Sequence, residues 1–501
     1  MKGIMIQGTA SDVGKSLLTT AICRLFANVG WKVAPFKSQN MSNNSYVTIH
    51  GEEIGRAQGI QAEAARTEAS VWMNPILLKP RSDQQSEIIL LGKSLETMSG
   101  RGYRDQFYEK GIEVIQSSLA YLEQHYDVLV IEGAGSPVEV NLKSRDLVNM
   151  KVAEMADVPV VLVADIDRGG IFASIIGTLE LLAPEERERV RGLIINKFRG
   201  DISLFNDGIQ WLEEKTGVPV LGVIPYIDHH GIDGEDSLSL QKQLPKSQNR
   251  EIDLVVLHLP YVSNYSDIES FAYEPDVSIR WVGHGDEFGN PDAVIIPGTK
   301  STINDLDYLK AVDLDRQIKD FSHKGGFLMG ICGGYQMLGE FIIDEAGSDT
   351  GIIGKKVEGL RLISGQTVFH PVKDTKRVKG SIISRANGED LLVEGYEIHL
   401  GKTTHAESEQ NFIELENGRT EGFCNEDGTI IGTYLHHLFH NDDWRNEWLN
   451  RIRERKGLKI RSPIYAAHLK EERFDSLAER LKENLDWTLL KAIIFEVESN
   501  K

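Results

Sequence analysis

At 501 residues the chain is longer than one hydrophobic core usually organises, so two or three domains are expected. Its 41% hydrophobic and 26% charged residues are ordinary for a soluble globular protein, and no apolar run reaches the length of a membrane span. The net charge of −20 excludes a nucleic-acid partner as an expectation, and means that any anionic ligand must be held by a local basic pocket.

The first element, GIMIQG, reads as a buried strand and passes directly into Gly8-Thr-Ala-Ser-Asp-Val-Gly14-Lys15-Ser16. With neither a long apolar core nor an Arg-rich leader there, no targeting segment is expected, and the protein is expected to be cytoplasmic. Residues Lys15 to Val29 have helical spacing, so the glycine-rich turn joins a strand end to a helix start. Backbone N–H groups freed by Gly8 and Gly14 can cradle phosphates, and the helix N-terminus favours their charge. Lys15 can then reach the β- and γ-phosphates of ATP, and the Ser16 hydroxyl can ligand Mg²⁺. Five residues rather than four separate Gly8 from Gly14, so Thr9 stands where the usual first glycine would.

KVAPF is the next strand, and Lys37 stands at its end, followed by Asn40, Ser42, Asn43 and Asn44. Lys79 and Arg81 occur in LLKPRSD, and Arg168 occurs in ADIDRGG. The segment from Tyr103 to Glu123 has helical spacing. The strand VLVIEGAG delivers Glu132, a carboxylate suited to Mg²⁺ or its waters. Further strands are VPVVLVAD, VRGLIINKF and VPVLGVIPY, and Asn196 in the second of them can read an adenine edge. Strands alternating with helices give a mainly parallel sheet covered on both faces. Loops at the carboxyl ends of such strands bind ligands, so Lys37, Asn40, Asn43, Lys79, Arg81 and Arg168 are candidates to hold a polycarboxylate or polyamide.

SLQKQLPKSQNR reads as a linker, and a second alternating series comes after it: IDLVVLHLP, DAVIIPGTK, GGFLMGICGG, GLRLIS, GYEIHLG and GTIIGTYLHHLF. The expected domains are 1–243, 251–445 and a helical extension, 446–501, packed on the second domain. Of Cys23, Cys332 and Cys424, an odd and scattered set that suits neither disulfides nor zinc, Cys332 has the setting of a nucleophile. Gly330, Gly333 and Gly334 allow the strained strand-to-helix elbow that presents a thiol to a cleft. The N–H of Gly333, with that of Gly298 or its neighbour in IIPGTK, can stabilise an oxyanion. Cys23 reads as a small buried hydrophobe. A cysteine nucleophile needs a base. His436 supplies it, with His437 expected to point to the opposite face of an extended strand.

These motifs together carry a resemblance. GTASDVGKS is similar to the dethiobiotin-synthetase type of P-loop, and GICGGYQMLG with TYLHHLF is similar to class I glutamine amidotransferase domains of corrinoid amidases. PFKSQNMSNNS, MNPILLKPRSD, IEGAGSPVEVNL, ADIDRGG, INKFRGD and GYEIHLG together resemble the cobyric acid synthase family over roughly residues 1 to 445. The resemblance implies an α/β protein with a P-loop synthetase domain and a glutaminase domain. It also implies ATP- and glutamine-dependent amidation of the peripheral carboxylates of adenosylcobyrinic acid a,c-diamide. The rivals are an amidotransferase acting on the a,c-carboxylates or a cell-wall precursor, and a non-enzymatic nucleotide switch. Class I glutaminases usually carry a carboxylate two residues after the histidine, where this chain has Leu438. Glu397 and His399 are therefore candidates to orient the His436 ring. His437 stands where the family usually has glycine.

Overall fold

The computed structural model describes residues 2–82, 85–227, 250–383, 391–405 and 411–495, apart from the side chains of 81, 82, 101, 104 and 105. The expected linker, except Arg250, lies outside the described residues. The chain divides into two compact units, Met1–Ser42 with Glu53–Glu235 and His468–Lys501, and Asn43–Glu52 with Asp236–Ala467.

The first unit is built on six strands: β1 (Gly3–Gly8), β2 (Val33–Phe36), β3 (Val128–Glu132), β4 (Val160–Asp165), β5 (Val190–Phe198) and β6 (Val220–Pro225). They pair in the order β6-β5-β4-β1-β3-β2, every pair parallel. Both faces are covered, which is why the strands read as nearly continuous apolar runs. The central strand β1 ends in the glycine-rich turn and feeds helix α1 (Lys15–Asn28). The register sets Ile6 beside Glu132 and Asp165 beside Asn196, so the carboxyl ends of β3, β4 and β5 gather around that turn. A second, small sheet is formed by Gln39–Met41, Ile76–Ser82, Gln85–Leu90 and Lys93–Ser99.

The second unit holds β7 (Ile252–Leu257), β8 (Val277–Val282), β9 (Ala293–Ile296), β10 (Phe327–Ile331), β11 (Phe423–Cys424) and β12 (Ile430–Thr433), ordered β8-β7-β9-β10-β12-β11. Only the β11–β12 pair is antiparallel. Helix α2 (Gly333–Leu338) follows β10, and α3 (Asp442–Arg455) buries Trp444, Trp448, Leu449 and Ile452. GLRLIS is not a strand. Its backbone wraps the end of α2, with the N–H groups of Leu360, Arg361 and Leu362 donating to the carbonyls of Met337, Gly339 and Leu338. The segment Asn43–Glu52 belongs here too: the Ser45 N–H donates to Asn264 Oδ1 (3.1 Å), and Val47 packs with Tyr396 and Ile398.

The expected placement of the tail needs correction. Only α3 lies in the second unit, whereas α4 (Ala466–Glu483) and α5 (Trp487–Phe495) cover the P-loop unit. Phe474, Leu477, Leu481, Leu490 and Ile494 join Leu18, Ile22 and Phe26 of α1 in one core. The buried Arg24 guanidinium is held by Glu471 (2.6 Å) and Asp475 (2.8 Å). A stripe of apolar residues at helical spacing shows that a helix will be covered, but not by which partner. Among the described residues no helix is long and apolar enough to cross a membrane.

Candidate active sites

In the second unit β10 runs into Cys332, whose φ of 51° and ψ of −107° lie outside the comfortable regions for an L-residue. The flanking glycines make this turn possible. A Cβ on Gly334 would stand 2.0 Å from the Ile296 carbonyl oxygen, and one on Gly330 would stand 2.8 Å from the Gly334 backbone. The thiol is buried and lies 3.7 Å from the Ile398 carbonyl oxygen. Gly298 lies beside the Cys332 side chain, and Gly333 lies against the Thr299 backbone. A Cβ on Gly298 would lie 3.6 Å from Cys332 Cβ and 3.1 Å from His436 Cε1, and one on Gly333 would lie 3.1 Å from the Thr299 backbone nitrogen. The Thr299 loop is anchored by Asp305, which accepts from the Thr299 hydroxyl and the Tyr261 N–H. Burial pushes the Asp305 carboxyl up to about 7.

The His436 ring is fully buried, with Nδ1 2.7 Å from Asp267 Oδ2 and its face stacked 5.1 Å from the Tyr396 ring. Burial alone would favour the neutral imidazole. The Asp267 carboxylate and a hydrogen bond with the Cys332 thiol outweigh it, raising the pKa from 6.5 to about 10. Because the folded value is the higher one, this pair's contribution to stability is complete below pH 6.5 and is lost as pH rises through about 10.

Asp267 thus orients the imidazole, and the sequence-based candidates do not. Glu397 is committed to Arg419 and Lys376, which with His399 overcome its burial and hold its carboxyl down to about 2. His399 Nδ1 faces the Gly401 carbonyl oxygen (2.7 Å), and its ring stacks on Tyr434. Asp267 sits in the 3₁₀ segment Tyr265–Tyr273, which follows the β7 end. The available signal was an acid on a loop at the carboxyl end of a strand. His437 also turns away for a reason other than strand alternation. β12 ends at Thr433, and His437 has a left-handed φ of 63°, with its N–H donating to Asp267 Oδ1 (2.8 Å). That is a backbone conformation glycine adopts without strain.

Replacing Asp267 by Asn is expected to lower glutamine hydrolysis by roughly 10²–10⁴-fold, the range for losing a general base or its orienting carboxylate. Glu397→Gln and His437→Gly, which leave the His436–Asp267 contact intact, should keep the rate of the folded enzyme within about a few-fold of wild type. Steady-state glutaminase assays on the three variants check this, and equal losses in all three would remove Asp267 from its special place.

In the first unit the N-cap Gly14 has φ 98°, and a Cβ there would stand 2.2 Å from Asn196 Nδ2. Asn196 donates that amide to the Val13 carbonyl (2.8 Å), so it clamps the phosphate loop from the β5 side. The Thr9 N–H donates to Val163 O (2.9 Å), and Lys15 Nζ donates to the carbonyls of Ala10 and Gly135, both at 3.1 Å. The Ser16 hydroxyl donates to Glu132 Oε1 (2.7 Å), which also receives Lys37 Nζ (3.1 Å), while Gln61 donates to Oε2 (2.7 Å). Burial would raise the Glu132 carboxyl, but Lys37 and these hydrogen bonds overcome it and hold it below the usual range. Gln61 gave no sequence signal.

Among the described side chains, two of the expected substrate-binding cations are paired with carboxylates. Lys79 is fully buried and ion-paired with Glu53, and Lys37 is paired with Glu132, because a buried ammonium needs a carboxylate beside it. Arg168 is 69% exposed and 3.7 Å from Asp12. Asn40 donates to Gln58 Oε1 (3.1 Å), Asn43 lies in the second unit, and the side chain of Arg81 lies outside the described residues. Cys23 is buried, and burial raises its thiol pKa, as suits a small hydrophobe.

Residues 4–236 match a family described as the CobQ/CobB/MinD/ParA nucleotide binding domain, and residues 253–444 match the CobB/CobQ-like glutamine amidotransferase domain. Similar proteins include a cobyric acid synthase of Geobacillus sp. (strain WCH70), 49% identical over 96% of this chain and 95% of that protein. One from Desulforamulus reducens is 47% identical over 97% and 96% of the two chains. Another, from Synechococcus elongatus, is 45% identical over 97% and 98%.

Proposed function

Because the chain belongs to the cobyric acid synthase family, we propose that its two sites divide one amidation between them. The protein is a glutamine-hydrolysing amide ligase of cobalamin biosynthesis that uses ATP and glutamine. The observation that supports the division is the separation of two chemistries. A thiol–imidazole–carboxylate chain, Cys332–His436–Asp267, is built in one unit, and a phosphate loop facing a buried carboxylate is built in the other.

In the glutaminase half, the Cys332 sulfur attacks the side-chain amide carbon of glutamine. The N–H groups of Gly333 and of Gly298 or Thr299 hold the developing oxyanion. His436 gives its proton to the departing nitrogen, the C–N bond breaks, and ammonia leaves a thioester on Cys332. A water that loses its proton to His436 then hydrolyses the thioester to glutamate. In the synthetase half, a substrate carboxylate takes the γ-phosphoryl group of ATP, giving ADP and an acyl phosphate. Lys15 neutralises charge on the transferring group. Ammonia attacks the acyl carbon, phosphate leaves, and the amide remains.

Mg²⁺ fits the residues at the loop. Ser16 and Glu132 offer hard oxygen donors, as suits an ion held by one carboxylate and phosphates. When bound, it would neutralise phosphate charge during transfer. The substrate in this reading is adenosylcobyrinic acid a,c-diamide, amidated one carboxylate after another to adenosylcobyric acid.

Incubating the protein with the diamide, ATP, Mg²⁺ and glutamine should give a mass ladder of acid-to-amide exchanges, with one ATP consumed per rung. Glutamine hydrolysis without any rung would show that another carboxylate is the substrate.

A further inference from the structure

The first unit contains a cavity of about 440 Å³ beside its phosphate loop. One wall is apolar and comes largely from the small sheet and the short helix Gly100–Gln106, with Met41, Leu78, Ile88, Met98 and Tyr103 facing the space. The opposite wall is the loop after β3, including Ala134, Gly135 and Ser136. Gly135 is also the residue whose carbonyl receives Lys15 Nζ at 3.1 Å. The cavity therefore begins where the lysine of the phosphate loop ends. In the strand order β6-β5-β4-β1-β3-β2 it lies on the β3 side of that loop, whereas Asn196 clamps the loop from the β5 side.

A carboxylate that is to be phosphorylated must stand beside the γ-phosphate, and this cavity is a concave space that Gly135 links to Lys15. Its character differs from the basic pocket the sequence suggested, since Lys79 and Lys37 are already paired with Glu53 and Glu132. Two large apolar side chains of its lining, Met41 and Leu142, are 60% and 43% exposed, an arrangement that costs solvation unless a ligand covers them. Lys143 and Arg145 lie on the same wall as Leu142.

We propose that this cavity receives a methyl-bearing edge of the corrin ring and presents one free carboxylate at a time to the phosphate loop. The proposal rests on the corrinoid reading above and adds where and how the ligand is held. An apolar wall grips a ring edge without fixing which acidic side chain points at the loop. A pocket of buried cations would fix one carboxylate and reject the ligand once that group became an amide. Non-directional contact thus lets one site serve several carboxylates in turn.

The full-length protein carries the test. Corrinoid a,c-diamide binding is measured by equilibrium dialysis, read by corrin absorbance, alongside ATP binding and glutamine hydrolysis. Met41→Asp and Leu142→Asp place a like charge at the cavity without disturbing the core, and each should weaken corrinoid binding by about tenfold or more. ATP binding and glutamine hydrolysis should stay at wild-type values in both. Met41→Lys should bind at least as tightly as wild type, which loss of packing alone would not give. Ser86→Trp, which narrows the same space, should weaken binding like the aspartates. Wild-type affinity in both aspartate variants, with the ladder of amides still formed, would overturn the cavity and leave the function standing. Absence of both binding and amidation in the wild type would overturn the corrinoid reading and the cavity with it.

Discussion

Cys332→Ala is expected to lose glutamine-dependent amidation by roughly 10⁴-fold or more, the scale of removing a catalytic nucleophile. The same variant should keep amidation driven by concentrated ammonium salt at raised pH, where free ammonia is abundant. The strain at φ 51° is held by glycines on both sides, so alanine fits the space and the fold should survive. His436 and Asp267 would remain in place, but with no sulfur to attack the amide they have nothing to activate. Product formation from each nitrogen source, measured in parallel, gives the answer. Near wild-type turnover with glutamine would mean that ammonia is released elsewhere.

Lys15→Ala should act in the opposite way and remove amidation from both nitrogen sources, by about 10²-fold or more, as expected for losing one charge-stabilising group. Both routes need the same activated carboxylate, so no nitrogen source can bypass the loss. Ser16→Ala and Glu132→Gln should behave alike, since Ser16, Lys37 and Gln61 all converge on the Glu132 carboxylate. Glutamine hydrolysis by itself is the separate readout that shows the second unit is still folded. Full ammonia-driven amidation by Lys15→Ala would place activation outside the phosphate loop.

The strands of the first sheet were legible because each is a short apolar run with a polar break after it. Their order was not, since nothing local says that β1 lies between β3 and β4. Val277–Val282 escaped because its half-exposed Ser278, Ile279, Arg280 and Trp281 give no continuous apolar run. The strained turn at Cys332 was legible through its flanking glycines. Asp267 was not, because its relation to His436 exists only across two loops brought together by the sheet. The surroundings of the candidate substrate cations were illegible for a related reason. Lys37 and Lys79 could be counted in the sequence, but the carboxylates paired with them, Glu132 and Glu53, are neighbours only in three dimensions.

The return of α4 and α5 to the P-loop unit bears on how this chain is made. On the ribosome, Phe474, Leu481 and Ile494, which cover Ile22 and Phe26 of α1, follow it only after the strands of the second unit. At roughly 5–20 residues per second, the apolar flank of the nucleotide-binding half waits about 20 seconds or more, with the strands of the glutaminase half emerging meanwhile. For the same reason no single break in the gene yields two self-sufficient products: a split after the first half would strand its final two helices on the wrong message.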